Sequence, residues 1–171
     1  MAKKNTFIIR ARVNTLNAGN FAEKEVELGS YTNLGSSKPE VLRIHRAIVQ
    51  ITDGAGQMPT LGADLAASVA WQLTTQSQSA LIDPVSDAWV CGGRAGVRNP
   101  DSSTNPPSDA FEETILAQDY EAGYTIAVPS LFLGGFGATE FTNDVYYNLL
   151  LECSTEPMTK ANAVSLAISQ Q

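Results

Sequence analysis

Histidine is nearly absent from this chain: His45 is the only one in 171 residues. A multi-histidine metal site is therefore excluded, and two cysteines as far apart as Cys91 and Cys153 lack the paired spacing of a zinc site. Long apolar runs are missing as well. In the opening MAKKNTFIIRARVN the apolar stretch FII is too short for a signal-peptide core or a membrane span, so the expectation is a chain made and assembled in the cytoplasm. Charge is sparse, at 17% of residues, and acidic residues outnumber basic ones 18 to 11. Free polyanion binding draws its affinity from neutralised phosphates, and Lys3, Lys4, Arg10 and Arg12 are too few for a polybasic arm. Weak or no direct nucleic-acid contact is expected.

What is present is a globular composition with a polar, weakly charged coat. A hydrophobic fraction of 43% suits one domain spanning residues 1–171. The net charge of −7 conceals a split. Residues 1–46 carry eight basic and four acidic side chains, net +4, whereas the remaining 125 carry three and fourteen, net −11. Opposite signs favour contact between the two parts, either within one chain or between copies.

The dominant sequence period is two. In TFIIRARV (6–13), Phe7, Ile9, Ala11 and Val13 alternate with a face carrying Arg10 and Arg12, as a half-buried strand requires. EKEVEL (23–28) sets three glutamates on one face against Val26 and Leu28. ASVAWQLTT, DAWVCGG, FEETILAQDY, YTIAVPSLFL and NDVYYNLLLEC read as further strands. The last has two apolar faces and should lie centrally. Gly-, Asn-, Asp- and Pro-rich punctuation separates them, with NPDSSTNPPSD (99–109) as a stiffened surface loop. The glycine-rich LFLGGFG, with Phe132 and Phe136, reads as a contact edge. Residues 157–171 predict a helix capped by Thr159, although VSLAIS also alternates as a strand would. About eight strands and one short helix predict an all-β, antiparallel two-sheet sandwich, best matched by a single jelly roll.

One stretch resists this simple pattern. In VLRIHRAIVQI (41–51), strict alternation places Arg43 and His45 on one face with Val41, Ala47 and Val49. It places Arg46 on the other, with Leu42, Ile44 and Ile48. Unpaired guanidinium groups are too costly to bury, so each must reach an edge or a carboxylate. Carboxylates on a neighbouring copy would make this strand a subunit contact.

Catalytic signatures are weak. His45 lies between two arginines that oppose its protonation as a base. GGRAGVRNP and LGGFGATEF lack the spacing of phosphate- and dinucleotide-binding loops. The pairs Glu112/Glu113, Asp119/Glu121 and Asp83/Asp87 could supply a glycosidase's two carboxyls, but nothing selects one. Exposed Trp71, Trp89 or Tyr146 could stack on a sugar, although strand aromatics more often fill a core. Cys91 and Cys153 sit in strand-like surroundings, either as buried thiols or as a bridge.

The short basic segment KKNTFIIRAR (within residues 1–12, an arm or first strand), the strands over residues 6–155 and the polar loop NPDSSTNPPSD together resemble the small single jelly-roll subunits of icosahedral virus shells. Small RNA-phage coat proteins are similar in size, but end in a two-helix segment that TKANAVSLAISQQ does not match. The jelly-roll resemblance implies a capsid or coat protein located in the virion. Such a subunit has no catalysis and no cofactor, and it partners copies of itself and other virion proteins. Arg10, Arg12, Arg43, Arg46, Phe132 and Phe136 are then the expected subunit contacts. A sandwich recognition module (a spike, decoration or carbohydrate-binding protein) and a carboxylate hydrolase are the competing readings.

Overall fold

A computed structural model describes residues 5–171; Lys3 and Lys4 of the basic segment lie outside the described residues. Nine strands follow in chain order: β1 (Phe7–Asn14), β2 (Phe21–Glu27), β3 (Glu40–Thr52), β4 (Ala66–Thr74), β5 (Trp89–Arg98), β6 (Asp109–Ile115), β7 (Tyr124–Ile126), β8 (Ser130–Gly137) and β9 (Tyr146–Pro157). A closing helix, α1, spans Lys160–Ser169. The strands form two antiparallel sheets, ordered β1-β9-β3-β7 and β2-β8-β4-β5-β6. Apart from the β4-β5-β6 run, successive strands swap sheets, which is the double Greek key of a jelly roll with β6 added at one edge.

Alternation explains most of the core. Tyr147, Leu149, Leu151 and Cys153 of β9 face Leu131 and Leu133 of β8 and Val69, Trp71 and Leu73 of β4, all buried in one cluster. Two sequence expectations change here. YTIAVPSLFL is not one strand: it is β7 and β8, in different sheets, because the chain crosses the sandwich through Ala127, Val128 and Pro129. LFLGGFG is not an edge loop either, since β8 pairs on both sides, with β2 and β4. Its glycines make space: a Cβ on Gly134 would lie 2.5 Å from the Phe21 ring, and one on Gly135 would lie 2.6 Å from the Tyr147 ring.

FEETILAQDY is likewise shorter as a strand, because β6 stops at Ile115 and a 3-10 turn (Ala117–Asp119) follows. Asp119 closes that turn by accepting from the Leu116 amide at 2.7 Å. The proline-rich loop is anchored by Asn99, fully buried, whose amide nitrogen donates to the carbonyls of Leu61, Gly62 and Ser103.

Helix α1 begins at Thr159, whose hydroxyl accepts from the Asn162 amide. It lays Ala163 on Val41 and Ala127, on the opposite side of β3 from the main core. The buried Gln170 then donates its side-chain amide to the Thr125 carbonyl (2.7 Å) and accepts from the Ala127 amide (2.9 Å). These bonds satisfy backbone groups beside β7 at the sheet edge.

Candidate functional site

The resistant stretch resolves through one extra residue. β3 pairs with β9 as Ile44↔Cys153 and then Arg46↔Glu152, so His45 is a bulge. The bulge shifts the phase of alternation. Leu42 and Ile44 before it, and Ala47, Val49 and Ile51 after it, all pack into the same core. Arg43 and Arg46 therefore share the outer face, where strict alternation had placed them on opposite sides.

Their fates differ. Arg43 is paired inside its own chain through two of its three nitrogens, with Nη2 2.7 Å from Glu156 Oε2 and Nη1 donating to the Ala122 carbonyl at 2.6 Å, while its buried Nε has no hydrogen-bond partner among the described residues. Its charge is thus met by a carboxylate of its own chain. Arg46 is exposed, and among the described residues neither it nor Arg10 has an ion-pair partner within 4 Å.

β1, β9 and β3 run side by side, so their outward residues form rows. Ile8, Glu152 and Arg46 make the first, Arg10, Leu150 and Ile48 the second, and Arg12, Asn148 and Gln50 the third. Ile8 and Ile48 are each 42% exposed. The Arg12 guanidinium carbon sits over the Tyr146 ring, 3.9 Å from its centre, which holds a cation in place at the patch border. The result is a partly aliphatic face with three arginines that α1 leaves uncovered, since the helix covers the Val41 end of the sheet.

Phe132 and Phe136 do not join that face. They lie half-buried on the outer side of the second sheet, with Phe136 opposite Phe21 and Ala70, and Phe132 opposite Glu25 and Thr74. A loop following β4 covers the adjoining area. Gln72 beneath it donates to the Ala80 carbonyl and accepts from the Ile82 amide, while Glu23 accepts from Ser77 and Gln78.

The structure brings together one pair of catalytic appearance that the sequence does not signal. His45 Nε2 lies 2.7 Å from Ser154 Oγ. Ser154 is only 2% exposed, however, so a substrate has no route to its hydroxyl. The contact ties the bulge to β9.

Glu112 and Glu113 point to opposite faces of β6 by strand geometry. Trp71 and Trp89 are buried, and Tyr146 stacks on Arg12, so none is an open sugar platform. Cys91 and Cys153 are free, buried thiols, and burial pushes each up to about 12. No cluster of three or more metal-ligating side chains occurs among the described residues, and no helix there is long and apolar enough to cross a membrane.

The strand order thus defines a single jelly roll. No family model and no curated protein sequence matches the chain. Among solved structures it is similar to viral capsid proteins of the jelly-roll class. VP1 of human polyomavirus 12, in complex with 3'-sialyllactosamine, is 8% identical with a TM-score of 0.46, covering 91% of this chain and 100% of that one. Merkel cell polyomavirus VP1, as an unassembled pentamer, is 6% identical with a TM-score of 0.42, covering 91% and 97%. The Merkel cell polyomavirus virus-like particle is 7% identical with a TM-score of 0.41, covering 94% and 76%. The jelly-roll assignment stands on the strand order itself.

Proposed function

We propose that this chain is a self-assembling structural subunit of a viral shell, a capsid or coat protein present in many copies, without catalytic activity and located in the virion. The observation that carries this reading is the uncovered face of the first sheet. Arg10, Arg12 and Arg46, against the single acid Glu152, sit there beside Ile8, Ile48 and Leu150, in a chain whose other residues are strongly acidic. A basic, partly aliphatic patch on an acidic molecule suits a second copy of that molecule better than it suits solvent, because the complementary charge is on the same chain. Phe132 and Phe136 are assigned a secondary contact on the opposite sheet. Arg43, whose charge is paired with Glu156 in the same chain, is assigned a lesser part in the contact of the first sheet.

The test is the mass and shape of the purified chain across concentration and salt, by light scattering after size exclusion and by negative-stain imaging. Closed particles or a defined oligomer are expected, and Arg46→Gln, which sets no like charge against Glu152, is expected to weaken them while moving the unfolding temperature by less than about 2 °C. A chain that stays monomeric throughout refutes the reading. Glycan binding by a small discrete oligomer that forms no shell would favour a recognition module instead.

A further inference from the structure

The uncovered face is too small to hold a shell alone. Three strands about 4.8 Å apart, each contributing about six residues at about 3.3 Å, span roughly 300 Å². A stable obligate contact buries about 1,000 Å² on each copy. A second contact is required.

β6 offers one. It is the fifth strand of a sheet whose partner has four, and all seven of its residues are exposed. It therefore overhangs the sandwich, with Phe111 75% exposed and ladder bonds on one side only, to β5. Its outer edge presents unpaired backbone groups, which an added strand would satisfy.

The two sheets end in four edge strands, and charge separates them as partners for β6. β7 is only three residues long, and Gln170 occupies the backbone beside it. β2 carries Glu23, Glu25 and Glu27, which would face the acids of β6. β6 paired with its own copy about a two-fold axis at Glu112 sets glutamate against glutamate. β1 alone is basic, and its ladder to β9 leaves its other edge without a strand among the described residues.

The two strands also match residue by residue. Laid antiparallel, the outward residues of β1 and β6 meet as Ile8 with Ile115, Arg10 with Glu113, Arg12 with Phe111, and Asn14 with Asp109. Each pairing is chemically compatible: aliphatic with aliphatic, cation with anion, guanidinium with aromatic face, and amide with carboxylate. Glu113 already lies 3.3 Å from Arg94 at an exposed position, and Arg10 would approach it from the opposite side.

We propose that neighbouring copies join head to tail by strand addition, with β6 of one copy pairing antiparallel with the free edge of β1 of the next. This rests on the self-assembly reading and specifies its geometry. The five-stranded sheet of one subunit continues into the four-stranded sheet of its neighbour. Because the two surfaces differ, the contact is heterologous, and it closes into a ring when the rotation between copies permits.

The test uses the full chain and three variants: Glu113→Arg, Arg10→Glu, and the two combined. Both positions are exposed, Glu113 at 62%, so the variants fold, and unfolding temperature checks this. Each single reversal is expected to raise the half-assembly concentration by about tenfold or more, and the double reversal to restore it to within about threefold of the wild type. Amide exchange in β6 is expected to slow on assembly. Single reversals that assemble like the wild type, or a double reversal no better than the singles, overturn strand addition while leaving self-assembly standing. A wild-type chain that never assembles overturns both.

Discussion

Gly123 is the sharpest probe of the bulge that arranges the arginines. It follows the turn closed by its own amide bonding to the Tyr120 carbonyl, and it has φ +70°, a left-handed conformation. A Cβ placed there would lie 2.2 Å from the Ile44 carbonyl oxygen and 3.4 Å from His45 Cα. Gly123→Ala therefore combines two penalties: about 1–2 kcal/mol for a left-handed non-glycine residue and about 1–3 kcal/mol for forcing atoms into packed backbone. For a chain of this size each kcal/mol moves the melting temperature by about 2–4 °C, so a fall of about 10 °C is expected. Two controls separate the penalties. Gly56 has φ +83° with nothing within 4 Å of a Cβ, so Gly56→Ala should cost only the backbone term, about 3–5 °C. Gly96 has open space and an ordinary conformation, so Gly96→Ala should move the melting point by less than about 2 °C. Thermal unfolding followed by circular dichroism ranks the three. A Gly123→Ala chain no less stable than Gly56→Ala would refute the close approach of this turn to the β3 bulge.

Gln170→Ala should lower stability by about 2–4 kcal/mol in urea unfolding, since it strips bonds from the Thr125 carbonyl and the Ala127 amide in a buried setting. Gln170→Glu keeps an acceptor for Ala127 but sets a buried carboxylate oxygen against the Thr125 carbonyl, so near neutral pH it should be no more stable than Gln170→Ala; equal stability of all three would show that these bonds do not hold the edge. Both thiols should resist an aqueous disulfide reagent in the native protein and react on unfolding, and rapid native reaction would contradict their burial. Their ordinary value near 9 is pushed up to about 12, so an unfolded chain releases protons that the folded chain keeps. Stability should therefore be unaffected by these groups below pH 9 and fall by about 1.4 kcal/mol per thiol for each pH unit above it. A urea midpoint that stays flat from neutral pH well into alkali would count against this.

Alternation in the sequence determined the strands, because which face a residue takes on a strand depends only on its neighbours along the chain. Thus Ile9 and Val13 are buried while Arg10 and Arg12 point outward, Val26 and Leu28 lie opposite three glutamates, and β9 runs through the middle of its sheet. The helix cap at Thr159 is equally local. Tertiary structure decided what depends on distant partners. The His45 bulge exists only relative to β9, about a hundred residues away, and it alone brings Arg43 and Arg46 to one face. Arg43 finds Glu156 because β9 lies beside β3, so a charge that looked misplaced in sequence is already matched. Arg46 lies opposite Glu152 in the register but makes no ion pair within 4 Å among the described residues. The overhang of β6 follows from one sheet having five strands and the other four, a property of the assembled layers that no stretch of sequence contains.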